Sequence, residues 1–181
     1  MTGPTETQCT GAFADMRSIT MDEALSIILE TFKEASAQQA HGLAAIVLDA
    51  GGRVKAFLKQ DGASIMRFEI SRGKAWAALA MHRSSRMVLQ KAREKPLFIE
   101  TLREIADGPI FLEAGAQLIR DKTGEIIGCL GVTGDVNEVD DICALAGIRA
   151  AGFKTDEDFS PEDVQRLNIK LWPKIVDPRG R

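Results

Sequence analysis

Gly128-Cys129-Leu130-Gly131-Val132-Thr133-Gly134-Asp135, followed by Asp140-Asp141 and Cys143-Ala144-Leu145-Ala146-Gly147, carries the strongest structural signal in the chain. Ile126, Gly128, Leu130 and Val132 alternate with Ile127, Cys129 and Gly131, the period of a β-strand. Glycine weakens a strand, so two inside one strand imply that something comes close to its backbone. That neighbour is either a ligand or another stretch of backbone, and the pattern alone leaves both open. Gly134 and Asp135 then turn the chain into a helix expected over 137–152, whose Ala144, Ala146 and Gly147 allow tight packing on a sheet.

Immediately upstream, 116–121, the turn Lys122-Thr123-Gly124 and 125–133 read as a hairpin. An earlier hairpin is formed by 43–50 and 53–59 around Gly51-Gly52. Its first strand is apolar as far as Asp49, which predicts a central position with both faces covered. Asp49 itself is read as a turn residue that accepts from nearby amides. In the second strand Val54, Ala56 and Leu58 are expected to face the core.

Thr20-Met21-Asp22-Glu23 has the form of a capping box and opens a helix running to about Gln39. Ser64 is expected to cap a long helix rich in small residues around Lys74-Ala75-Trp76-Ala77-Ala78. Further helices are expected over 85–94, before Pro96, and over 97–107; 110–115 is ambiguous. The result is an α+β domain with a largely antiparallel sheet of about five strands flanked by helices. Two hairpins do not fit a Rossmann-type succession. Residues 1–19 read as a flexible leader and 20–152 as the domain. Residues 153–181 form a helical extension beginning at Ser160-Pro161 and carrying six acids and six bases, so it is no electrostatic arm. Its apolar residues Val164, Leu167, Ile169 and Leu171 are expected to cover the domain's own surface or a neighbour's.

A net charge of -3 argues against a general nucleic-acid binder, which needs a basic patch. The three cysteines have neither disulfide nor zinc spacing. Residues 1–19 lack the form of a secretory signal, and no apolar run is long enough to span a membrane, so the expected compartment is the cytoplasm.

Several segments taken together resemble a known family: Val47-Leu48-Asp49-Ala50-Gly51-Gly52, Asp61-Gly62-Ala63, Lys74-Ala75, Gly124-x-x-x-Gly128-x-x-Gly131-Val132-Thr133-Gly134, and Asp140-Asp141-x-Cys143-Ala144. The chain looks like the haem-degrading domain family over roughly 20–152. That family is GlcG-like and HbpS-like and includes the C-terminal half of some PduO-type cobalamin adenosyltransferases. The resemblance implies a profilin-like fold, homo-oligomeric assembly, and a pocket for haem or another flat or acidic ligand. Two segments depart from the family pattern. Lys-Ala-x-Thr-Ala reads here as Lys74-Ala75-Trp76-Ala77-Ala78, and Gly-Gly-x-Pro as Glu113-Ala114-Gly115-Ala116.

The candidate site residues follow from chemistry and resemblance together. Lys74, among small apolar neighbours, is read as partly desolvated and suited to a carboxylate or propionate, against a lysine that snorkels to the surface. His82 is a candidate axial ligand or general base, against a solvent-facing residue at a helix end. His41 reads as an ordinary loop histidine. Gly131, Thr133 and Gly134 could offer amides to an anion; with Lys74, Trp76 and Gly128 they complete the expected cofactor-binding set. No metal site is assigned, since Asp140 and Asp141 favour a helix's first turns in any case and have only Glu138 near them. The pocket is therefore expected between the Lys74 helix and the 128–134 strand. The leading function is small-molecule binding, with haem as the candidate cofactor and a homo-oligomer as the assembly. One alternative is an enzyme acting on a small organic acid, with Lys74 or His82 as acid or base. Another is an oligomeric accessory protein without a ligand.

Overall fold

A computed structural model describes residues 17–172; residues 1–16 of the expected leader and 173–181 of the expected extension lie outside the described residues. Residues just before the expected boundary at Thr20 already belong to the fold, with Ser18 Oγ accepting from the Ala50 amide at 3.3 Å. Ile19 is buried, and its N–H donates to the Ile127 carbonyl at 2.9 Å. Thr20 and Glu23 then close the expected capping box of α1, Met21–Ala37.

The sheet consists of β1 Ala44–Asp49, β2 Val54–Lys59, β3 Ala116–Arg120 and β4 Ile126–Thr133. Every pairing is antiparallel, in the order β2-β1-β4-β3. Four strands replace the expected five. Residues 110–115 add no strand: the Phe111 N–H donates to the Gly73 carbonyl at 3.3 Å on a helix, and only Gly115, next to β3, meets the sheet, its carbonyl accepting from the Val132 N–H at 2.8 Å. The apolar β1 is central, as its composition requires. β2 lies at the edge, which leaves Val54 exposed against expectation while Ala56 is buried.

Helix α1 and α5, Asn137–Ala150, cover one face of the sheet, and α2, Arg67–Ala80, covers the other. Ala45, Val47, Leu130 and Val132 join the first layer; Ile46, Leu48 and Cys129 join the second. The alternation expected along β4 holds in its second half but reverses at its start, where Ile127 packs with the first layer and Ile126 with the second. The cause is a bulge, since Ile119 pairs with Gly128 and Arg120 with Ile126.

The long helix begins later than Ser64 suggests: α2 starts at Arg67 without a side-chain cap, and Ile65 and Met66 stay exposed. Then come α3, Ser85–Glu94, and α4, Pro96–Ile105. Between β1 and β2, Asp49 Oδ1 accepts from the Gly51 and Arg53 amides, the turn role expected of it. The C-terminal α6, Pro161–Arg166, is capped by Ser160 and belongs to an extension that packs on its own domain. Arg120 and Lys154 exchange backbone hydrogen bonds of 2.8 and 3.0 Å, and Arg120 Nε donates to Asp156 Oδ1 at 2.6 Å in a buried pair.

Candidate functional site

Lys74 sits on the buried face of α2 and is 2 % exposed. Its ammonium donates to Asp140 Oδ2 at 2.9 Å and to the Val132 carbonyl at 3.2 Å. The desolvation read from the sequence is therefore complete, and the charge is met from within the chain. Burial pushes the Asp140 carboxyl up to about 6, against the opposing pull of the Lys74 charge. Asp140 Oδ1 accepts from the Asp135 amide at 3.1 Å. Gly115, at φ +110, covers the pair. A Cβ there would lie 2.5 Å from the Val132 carbonyl oxygen and 3.1 Å from Lys74 Nζ.

Asp141 anchors a second buried group. Its Oδ1 accepts from the Gly115 amide at 2.9 Å and from Gln117 Nε2 at 2.8 Å, and its Oδ2 from Arg86 Nε at 2.6 Å. Burial raises this carboxyl too, with the Arg86 charge opposing. Asp140 and Asp141 are thus counter-ions for two cations that α2 and α3 bring in. Among the described residues no group of three or more His, Cys, Asp or Glu side chains converges to hold a metal ion.

The glycines of β4 admit backbone. A Cβ at Gly131 would fall 2.4 Å from the Ser71 carbonyl oxygen and 3.0 Å from Ala75 Cβ; one at Gly128 would fall 2.5 Å from the Leu48 carbonyl oxygen. Of the two neighbours left open by the sequence, helix and strand backbone occupy these places. Thr133 Oγ1 and the Gly134 carbonyl accept from Arg67 Nη1 and Nη2 at 3.1 and 3.3 Å. Trp76 lies between the first hairpin turn and Gly108, where an added Cβ would fall 2.1 Å from Cε2 of the indole. The space expected to be a pocket between α2 and β4 is filled by close packing and ion pairs.

A cleft of ≈ 800 Å³ lies instead at the hairpin end of the sheet, and His82 lines it. Its volume is within the ordinary range for small-molecule sites. His82 follows the end of α2 at φ +48, a left-handed geometry that histidine adopts more readily than most residues. Its amide donates to the Leu79 carbonyl at 3.1 Å and the Arg83 amide to Ala78 at 3.1 Å, which closes the helix and leaves the imidazole exposed. Leu79, Met81, Ile126 and Leu167 supply apolar wall. Arg17, Arg83, Arg120 and Lys170 supply cations against Asp121 and Glu125. Burial alone would raise Asp121, but donors from Thr123, Glu125 and Gly124 outweigh it and hold that carboxyl below its ordinary value.

Sequence reasoning thus singles out both Lys74 and His82, and the fold separates them. Eight residues along a helix correspond to roughly 12 Å. One is sealed and one is open. His41 is exposed and pairs with Asp135, Nδ1 to Oδ2 at 3.2 Å, remote in sequence from the cleft residues. Arg67, Arg86 and Arg120 with Asp156 escape the sequence reading. An available signal was Gln117 and Arg120 in an otherwise apolar strand, Ala116–Arg120, with all five residues buried.

The sequence that builds this sheet-and-helix domain matches a recognised family. The chain belongs to the haem degrading protein HbpS-like family, whose model matches residues 19–149. No curated protein matches it at a significant level. Among solved structures, PduOC in a haem complex superposes with a TM-score of 0.66 at 21% identity, covering 76% of this chain and 98% of that one. An HbpS double mutant from Streptomyces reticuli gives 0.67 at 20% identity, covering 84% and 99%. Protein ORFY of Klebsiella pneumoniae gives 0.67 at 20%, covering 83% and 97%.

Proposed function

We propose that this chain binds a small flat, anionic molecule, with haem as the leading candidate, in the His82 cleft. The observation that carries the reading is the open imidazole set between apolar wall and basic rim. A nitrogen donor suits an axial position on iron, apolar wall suits a porphyrin face, and cations suit propionates. Family membership supports it, as does the solved PduOC haem complex. Of Lys74 and His82, the acid or base candidates of the enzyme alternative, His82 is the accessible one, because Lys74 is closed off by Asp140.

Titrating hemin into the full chain should give a sharpened, shifted Soret band, and His82→Ala should weaken binding by about tenfold or more. A free-hemin spectrum with the wild type, or an unaltered band in the variant, would overturn the assignment.

We further propose homo-oligomeric assembly. Helix α4 leaves Leu97 74%, Phe98 47% and Ile105 75% exposed, a concentration of apolar surface on one short helix that favours cover by a second copy. Native mass spectrometry should show multimers in the wild type and monomer in a Leu97→Glu, Ile105→Glu variant. Monomer in both would count against assembly through α4. No helix among the described residues is long and apolar enough to cross a membrane. We propose the cytoplasm as the compartment.

A further inference from the structure

We infer that residues 167–170 of the C-terminal extension form a specificity wall of the His82 cleft. In this arrangement the Lys170 ammonium is the group that pairs with a carboxylate of the bound molecule. The inference rests on the cleft being the binding site and adds what selects the ligand there.

The family match stops at residue 149, so the wall lies beyond the shared domain. It is nevertheless built into this fold. Thr155 and Asp158 form a capping box around a short 3₁₀ turn, Asp156–Asp158, and this places Asp156 against Arg120. Leu167 seats on the β3–β4 turn, where a Cβ on Gly124 would fall 2.3 Å from Leu167 Cδ1. Gly124 stands at φ +98 and tolerates both the turn and that contact. Ile169 is buried at 5% exposure, and Asn168 turns the chain at φ +52 between them. Anchored on either side of Asn168, the segment places Lys170 beside the cleft, which it lines with Leu167 and Asn168, and its other side borders a narrow crevice with Asp156 and Glu157.

The state of the other charges narrows the choice to Lys170 and Arg83, and of these Lys170 is exposed while Arg83 is half-buried. Arg17 pairs with Glu23. Arg120 pairs with Asp156 and donates to the Gly124 carbonyl at 2.7 Å. Arg83 Nε donates to the Met81 carbonyl at 3.1 Å. Lys170 Nζ meets the neutral Asn168 Oδ1 at 2.6 Å, and its side chain is exposed. On the acidic side, Asp121 Oδ1 already accepts from Thr123, Gly124 and Glu125. A carboxylate entering the cleft would therefore find in Lys170 a cation with no anionic partner among the described residues, and charge-assisted hydrogen bonds of this kind are the strong ones.

The test compares hemin with hemin dimethyl ester, whose propionates carry no charge, in one mild detergent buffer. Wild type and Lys170→Arg should prefer hemin by about tenfold, and Lys170→Met should bind the two alike. Lys170 is exposed, so these variants should fold as the wild type does. If Lys170→Met keeps the preference while the Soret band still depends on His82, the wall is not selective and the inference falls alone. If wild type leaves both pigments with their free spectra, the binding site and the inference fall together.

Discussion

Replacing Lys74 by methionine is expected to destabilise the fold by about 3–5 kcal/mol near pH 7.5, and by clearly less at about pH 5. The side chain is of similar reach and stays in an apolar bed, so the loss comes from Asp140, left as a buried carboxylate without its cation. The pH dependence follows from the direction of that group's shift. In the wild type burial raises Asp140 to about 6, above its value of 3.8 in an unfolded chain, so the folded state holds this proton more tightly. Its contribution to stability is complete below the lower value and is lost as pH rises through the upper one. Removing Lys74 takes away the largest influence holding Asp140 down, and the window moves further up. Acid then neutralises the orphan and shrinks the penalty. Urea unfolding of Lys74→Met at the two pH values measures this directly. The same deficit at both would show that the lost charge pair is not its source.

A double variant, Lys74→Met with Asp140→Asn, sharpens the result. The amide oxygen of the introduced asparagine could still accept from the Asp135 N–H, while both charges are gone. The double variant should recover most of the single variant's loss, because breaking a buried pair is worse than replacing it whole. The same geometry bears on function. An ammonium required as a ligand anchor at this site would first have to leave Asp140, whereas His82 is available as it stands.

How much of this could be read from the chain depended on how local the determining physics was. The capping box at Thr20, the turn role of Asp49 and the central place of β1 are set by residues within a few positions of one another. The family resemblance needed only short glycine-bearing segments, and it agrees with the family that the chain matches. Lys74 was identifiable as unusual from its apolar neighbours, but its counter-ion lies 66 positions away. Asp140 looked like an ordinary acid in the first turn of a helix, and nothing local linked the two. The cleft was less legible still. Its walls come from the end of α2, the β3–β4 turn and the extension, which only the folded chain brings together. Arg67 and Arg86 belong to no recognisable motif, since each is a single cation whose partners are set by packing.

Gly131→Ala is expected to lose about 2–3 kcal/mol, although an alanine in a strand interior is intrinsically better than glycine by about 0.5–1 kcal/mol. The new methyl would stand 2.4 Å from the Ser71 carbonyl oxygen, and that atom is helix backbone that no side-chain rotation can move. Ala75 Cβ at 3.0 Å and Ile46 Cγ2 at 3.2 Å close the other directions, so α2 must lift from β4. Lifting would also stretch the Lys74 contacts to Asp140 and to the Val132 carbonyl, one residue along the strand. Gly62→Ala is the control. Gly62 lies at φ +80 with nothing within 4 Å of an added Cβ, so its penalty is backbone strain alone, about 1 kcal/mol. Chemical denaturation of the two variants side by side separates close packing from an open hollow. If Gly131→Ala costs no more than Gly62→Ala, the space between α2 and β4 can accept a guest, and Lys74 returns as its anchor.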